Sequence, residues 1–349
     1  MVTVQGAVTE LPSTRRRVAT RFVTSTRFPV LGYALRRILA GLVTLLIASM
    51  LIFACIQVLP GNVAQVVLGR NATPQRVAGL ETELHLNDSL ITRYFHYLGG
   101  FLSGNFGDST AALVQQTHVS VSSVVGPALL NSVLLAVIVL ALFIPLSLVL
   151  GFLSGRKAGS VTDHAVSSTT LAIGALPEFL IAIMLIYVFF TQFNLFAPVS
   201  GIQPGQSALD QPSALVLPGL TLLLVSLAFG SRLLRASIVE VLGKEYIAVA
   251  RMNGFSTRRI YLRYLFPNAL VPSVQILAQQ TQYLLGGIVI VESVFNYPGI
   301  GQQLVRAVAV RDVQEIMIIA TILSVAYIGI NILADIACVL LDPRVRTSM

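Results

Sequence analysis

Tryptophan is absent from this chain, cysteine occurs twice, histidine four times, and charged residues make up only 11% of its 349 positions. The scarcity of charge excludes most. Soluble proteins carry about 25% charged residues, so a chain this poor in charge and 55% hydrophobic has too little polar surface for a soluble fold. Two cysteines, Cys55 and Cys338, sit near opposite ends of different apolar runs. They give no disulfide framework and read as packing residues. The histidines, His85, His96, His118 and His164, are scattered, and no HExxH or serine–histidine constellation stands at a workable spacing. A membrane enzyme therefore has no support. A phosphate-binding Gly-x-x-x-x-Gly-Lys-Ser/Thr loop is also missing, since the one Gly-Lys pair, Gly243-Lys244, is followed by Glu245 and lacks the upstream glycine.

What the chain has is long apolar runs. They recur six times: Ile38–Leu59, Val133–Leu153, Ser167–Phe190 (interrupted by Glu178), Ala214–Ser231, Ala269–Val291 and Ile316–Leu341 (interrupted by Asp335). At about 1.5 Å rise per residue, each reaches across a hydrocarbon core of roughly 30 Å. The runs are continuous and do not alternate, which excludes a β-barrel. The expected fold is an all-α, polytopic bundle of six transmembrane helices. The first run, 22 residues long with no A-x-A site after it, reads as a retained helix and not as a cleaved signal peptide.

Basic residues set the orientation. With the N-terminus inside, eighteen of the 23 lysines and arginines fall on the cytoplasmic side, and Arg70, Arg76, Arg93, Arg306 and Arg311 remain outside. Both termini are then cytoplasmic. The net charge of +8 is juxtamembrane and meets anionic membrane lipids; it does not indicate nucleic acid. The reading divides the chain into a basic arm over residues 1–30 and a membrane domain over 31–346, with a large external segment at 60–127 between the first two helices.

In that external segment, Thr73 before Pro74 signals a helix start, with helix expected to about His85. Tyr94, Tyr97, Leu98, Phe101 and Leu102 then recur at helical spacing, as an elbow against membrane or bundle or as a platform for an external partner. A second polar island lies at 240–267. Glu245 to Met252 is amphipathic, Gly254 supplies a turn, Phe255 is an apolar plug, and Ser256 is a helix cap for a second helix ending before Pro267. Too polar for lipid and too short for a domain, this segment is shaped to be held by a soluble partner.

Several stretches together resemble the membrane permease subunits of peptide-type ABC importers, the group holding the oligopeptide, dipeptide and nickel permeases. They are Pro60-Gly61-Asn62, Thr73-Pro74, Glu83-Leu84-His85-Leu86-Asn87, Gly104-Asn105-Phe106-Gly107, Val289 to Phe295, Tyr297 to Gly301, Arg311-Asp312 and Leu341 to Arg346. The chain looks like the first of the two paired permeases, over about Leu31 to Arg346. That family's ATPase-docking loop reads Glu-Ala-Ala, three residues, Gly, nine residues, Ile-x-Leu-Pro. Here Ala248-Val249-Ala250, Gly254 and Tyr264-Leu265-Phe266-Pro267 keep the spacing, while Ala248 replaces the acid and Glu245 lies one turn earlier. The resemblance implies coupling through Glu245, Tyr246, Ala248, Ala250, Arg251, Gly254, Phe255 and Pro267. It further implies a second homologous permease, two ATP-binding subunits that carry ATP and magnesium, and an external substrate-binding protein, in a bacterial inner membrane. No cofactor is expected in this chain.

Polar residues inside the spans are the remaining signal. In the fifth, Asn268, Pro272, Gln275, Gln279, Gln282, Gly286 and Ser293 fall within about 80° at 100° per residue. They read either as interhelical hydrogen bonds or as a pathway wall. Glu178, after Pro177, is the deepest acid and joins Gln275, Gln279, Gln282 and Ser293 as a pathway candidate. Glu292 reads as gate or packing, and Ser324, Asn331 and Asp335 in the sixth span as interface. A secondary transporter, the rival class, would show inverted repeats and midplane coupling charges; no repeat is found.

Overall fold

The computed structural model describes residues 29–57, 63–69, 72–203 and 205–341. The basic arm, apart from its last two residues, and the closing Asp342-Pro343-Arg344 stretch lie outside the described residues, as does Pro60-Gly61-Asn62. The described chain is helical throughout, apart from loops and one isolated bridge between Asp108 and Ser120.

Among the described residues, five helices are long and apolar enough to cross a membrane: α1 (Pro29–Gln57), α6 (Val121–Gly155), α9 (Val216–Leu242), α12 (Phe266–Val294) and α14 (Val313–Leu341). A sixth candidate crossing is a bent pair, α7 (Val161–Gly174) and α8 (Glu178–Ile186) with the π-turn to Gln192, whose axes differ by 100°. The straight third span expected from the sequence is therefore broken. Pro177 disfavours helical geometry at the residue before it and lacks an N–H of its own, so α7 ends and a new helix starts at Glu178. That acid consequently occupies the first turn of α8, where the helix dipole favours a carboxylate.

Packing follows the small residues. The most extensive contact joins α6 to α9, and at Gly151 an added Cβ would stand 2.7 Å from Leu234 Cβ. Close helix approach through small residues is how bundles associate without a hydrophobic drive between helices. The central core combines Leu135, Val139 and Phe143 of α6 with Ala182 of α8, Leu222 of α9 and Leu284, Ile288 and Val291 of α12. The last helix folds back on the first, where Arg37 pairs with Asp335. This explains the acid in the sixth span: it neutralises an arginine of the first. Much of α1 remains exposed apolar surface, from Leu35 to Leu51, as a lipid-facing helix requires.

The segment between the first two long helices is ordered by its caps. Thr73 accepts the N–H of Arg76 at 3.3 Å at the start of α3 (Pro74–Glu83), which ends two residues before His85. The α4 helix (Leu90–Ser103) lies against the bundle, one of the placements the sequence allowed. Its Tyr97 is buried with Phe53, Val121, Ile300 and Met317, flanked by Tyr94 and Phe101, while Ile91, Phe95 and Leu102 stay exposed. Asp312, nearly inaccessible, fastens this region to α14. It accepts the Thr110 N–H at 3.0 Å and the Glu315 N–H at 3.1 Å, along with the Ser109 hydroxyl.

Candidate functional site

Two surfaces meet the sequence expectations, one at the end of the bundle where α9 turns into α12 and one along α12. At the turn, α10 (Glu245–Met252) is followed by Gly254 at φ +73°, the left-handed region that favours glycine. The Gly254 N–H donates to the Arg251 carbonyl at 3.0 Å and the Phe255 N–H to the Ala250 carbonyl at 3.2 Å. That pair of bonds is a Schellman stop. Phe255 then packs inward, with its ring 6.1 Å from that of Tyr264 and the Arg259 guanidinium 4.3 Å above it. The Ser256 hydroxyl accepts the Arg259 N–H at 3.4 Å and caps α11 (Thr257–Ile260).

Two expectations are corrected here. Ala250 does not face outward: it is buried with Ile247 and Ile260 inside the loop's own small core, because it lies on the α10 face turned toward α11. Its smallness serves the loop's packing. The second helix also does not end before Pro267. A π-helical turn, Tyr261–Leu265, carries the chain without a break into α12, with Pro267 in its first turn. The Phe266 N–H donates to Tyr261, one residue further back than in an α-helix, which relieves the register where the proline lacks its own N–H. Glu245, Ala248, Arg251 and Gly254 are exposed. Tyr246, Val249 and Met252, three residues apart, form an exposed apolar edge. The Lys244 ammonium donates to Glu240 at 2.8 Å, and that carboxylate raises its pKa.

Along α12 the polar stripe has a definite side. Gln275, Gln279 and Gly286 are exposed and Gln282 is half-buried, whereas Ser273, Gln280, Leu284, Ile288 and Val291 on the opposite face are buried. The stripe is thus the face of α12 that this chain leaves uncovered, and its glutamines do not bridge helices within the chain. Ser293 is different: its hydroxyl donates back to the Val289 carbonyl at 2.8 Å, satisfied within its own helix. Glu178 stands beside the same helix, at Gly287, where its Oε1 lies 3.4 Å from the space a Cβ would occupy.

Two groups carry no signal in the sequence, Asn131 with Ser132 and Asp163, and a third, the scattered histidines, is brought together by the fold. Asn131 and Ser132 precede the apolar run assigned to the second span. Ser132 donates to Glu292 at 2.5 Å, and Asn131 Nδ2 donates to the carbonyls of Gln206 at 3.1 Å and Pro298 at 3.2 Å. Buried Asp163 of α7 takes a two-pronged contact from Arg235 of α9, at 2.5 and 2.7 Å. His85, His96 and His118, distant in sequence, line one cavity of about 400 Å³ beside α4 with Arg93 and Asp108. Among the described residues no His, Cys, Asp and Glu group has metal-holding geometry. Burial lowers the Arg93 pKa and raises that of Tyr97 in this region. Tyr297, whose hydroxyl donates to the Asn131 carbonyl at 2.8 Å, is likewise raised by burial and then by the charge of Glu292.

A multi-pass helical bundle with an interrupted third crossing, a self-contained docking turn and a polar helix face left open is a membrane transport subunit. Two family models match it: the binding-protein-dependent transport system inner membrane component over residues 147–347, and the N-terminal membrane component of the same systems over residues 30–116. The chain belongs to that family and is the membrane permease subunit of a binding-protein-dependent importer. A probable peptide ABC transporter permease protein of Sinorhizobium fredii is 33% identical over 90% of this chain and 99% of its own length. The glutathione transport system permease protein of Escherichia coli K12 is 28% identical over 91% and 99%. A solved amino acid ABC transporter with histidines has a TM-score of 0.48 at 19% identity, covering 60% of this chain and 89% of that one.

Proposed function

We propose that this chain forms half of the translocation pathway of an importer for peptides or similar small solutes. The observation that carries the reading is the coincidence on α12: its polar residues occupy the face that the rest of the chain leaves bare. Primary amides facing lipid are costly, so this face belongs against water and a second, homologous permease. Amides also suit peptide groups, which are donors and acceptors of the same kind whatever the side chains. The relatives named for peptide and glutathione transport support that class of cargo; nickel or another small solute is the alternative.

The turn holding α10 faces the cytoplasm in this reading, as do both termini, and the segment around α4 faces outward toward a binding protein. Two partner ATPases, which hold ATP and magnesium, grip the Tyr246–Met252 edge. Because α10 is packed on α11 through Ile247, Ala250 and Ile260, and α11 runs through the π-turn into α12, their closure moves α12 as a lever and switches the pathway between its two openings. ATP-dependent uptake in vesicles containing this chain, its second permease, the ATPases and the binding protein tests the whole reading. Uptake of short peptides that needs both ATP and binding protein is expected. Uptake that ignores ATP would indicate a secondary transporter, and uptake of another solute with none of peptides would refute the cargo.

A further inference from the structure

Between α7 and α9, toward the α10 end, lies a cavity of about 740 Å³ whose floor includes Leu171, Phe229 and Leu233 and whose rim carries His164, Arg232 and Arg235. Arg235 is engaged by Asp163, which also accepts the Gly159 N–H at 2.8 Å and the Ser167 hydroxyl at 3.2 Å. Arg232 is different. It is exposed, lies within the candidate span Pro212–Leu242, and has no ion-pair partner among the described residues. It stands toward the cytoplasmic end of that helix, where the count of basic residues places it, and lines the cavity as an unpaired cation.

The cavity adjoins α12 through a ring contact. Phe229, one of its lining residues, lies 5.7 Å, ring to ring, from Tyr283 of α12. Glu178 and Leu222 both flank Gly287, at 3.4 and 3.5 Å from the position of its absent Cβ. Glu178 therefore stands level with Leu222 of α9, and Arg232 lies ten residues further along the same helix. At 1.5 Å per residue the acid and the base are about 15 Å apart along the axis. An extended chain spans at most about 3.3–3.6 Å per residue, so the gap matches about four or five residues. One end of this wall is anionic, the other cationic, and the exposed amides of α12 lie beside it.

We propose that the wall is a two-ended seat for a short zwitterionic peptide, whose α-amine faces Glu178 and whose α-carboxylate faces Arg232. This rests on the peptide reading and narrows it: free termini, and a preferred length of about four or five residues, are features the permease itself selects.

The test uses the reconstituted complex with its binding protein, tetra-alanine, and the N-acetylated and C-amidated forms of that peptide. All variants share one binding protein, so its own preference cancels in ratios between variants. Arg232→Gln is expected to lower tetra-alanine uptake about tenfold, the weight of one charge-assisted hydrogen bond. It should also abolish discrimination between acid and amide while keeping discrimination against the acetylated form. Glu178→Gln should do the converse. For the unblocked peptide, uptake should fall in the order Arg232→Lys, Arg232→Gln, Arg232→Glu with complex assembly unchanged. A flat series, or equal loss for all three peptides, overturns the proposal. Loss confined to vesicles containing phosphatidylglycerol also overturns it, since the groove would then hold an anionic lipid headgroup. If the wild-type complex takes up no peptide at all, the peptide reading fails first and this inference with it.

Discussion

Ser132 of α6 donates its hydroxyl to Oε1 of Glu292 at 2.5 Å, and the same Ser132 oxygen accepts the Ile300 N–H at 2.7 Å. The other carboxylate oxygen takes the Gly301 N–H at 2.7 Å and the Gln302 N–H at 3.3 Å. Glu292 is inaccessible, and its charge is answered by the first turn of α13 (Ile300–Val310), where unpaired N–H groups and the helix dipole favour an anion. One acid thus joins α6, α12 and α13. Of gate and packing, the two roles the sequence allowed for it, these bonds supply the packing one: a clasp between three helices.

Removing the clasp should show as lost stability. Glu292→Ala leaves a buried hydroxyl and two amide N–H groups without an acceptor, a cost of about 3 kcal/mol. Glu292→Gln keeps one acceptor oxygen but turns N–H groups toward other donors, and should cost less. Thermal unfolding of the detergent-purified permease checks the order, with the alanine variant least stable. An alanine variant as stable as wild type would show that the hydrogen bonds around Glu292 hold nothing together.

The pathway face gives a second outcome. Gln279→Leu and Gln282→Leu remove amides from the bare face of α12 without disturbing the buried face at Gln280 and Leu284. Substrate-stimulated uptake should fall while co-purification of the second permease and the ATPases stays at the wild-type level. If assembly fails instead, the amides are contacts between subunits and the pathway lies elsewhere.

Orientation is checked with single cysteines in a background lacking Cys55 and Cys338, both free thiols. Cysteines at Gln75 on α3 and Ser207 in the loop before α9 should react with an impermeant maleimide on intact cells. One at Ser256 should react only after the membrane is opened. External labelling at Ser256 would invert the topology and separate the α10 turn from any cytoplasmic ATPase.

The spans were legible in the sequence because lipid imposes a continuous apolar helix, a constraint that needs no partner to read. The stripe on α12 was legible for the same reason: polarity confined to one side of a helix is a local pattern. The break at Pro177 was present in the residues but hidden by apolar residues on either side, which made two helices look like one. What stayed out of reach depends on pairings across the chain. Asn131 matters because it meets residues 75 and 167 positions away, at Gln206 and Pro298, and Asp163 because Arg235 lies 72 positions on. Arg232 was counted among the loop charges that set topology, and its position on a cavity wall followed only from how α7 lies against α9. Ala250 shows the converse error, a local pattern correctly aligned whose side chain points the other way.

The docking turn gives the last outcome, altered by that finding. Tyr246, Val249 and Met252 are 39%, 50% and 79% exposed, a graded apolar edge beside the exposed Glu245, Ala248 and Arg251, and apolar edges of this kind are what a partner's groove covers. Val249→Asp puts a charge there and leaves the core of Ile247, Ala250 and Ile260 intact, so it should release the ATPases while the turn keeps its resistance to protease. Gly254→Asp acts through the backbone. No atom lies within 4 Å of a Cβ at that position, so the cost is the left-handed conformation alone, about 1 kcal/mol, with an acid added beside the docking edge. It should weaken ATPase retention without preventing membrane insertion. Ala250→Trp belongs to a different class: it cannot fit the loop's core and should make the turn protease-sensitive as well as uncoupled. Co-purification, uptake and limited proteolysis measured together separate the three. Val249→Asp with normal ATPase retention and normal uptake would mean that α10 is not the element the ATPases grip.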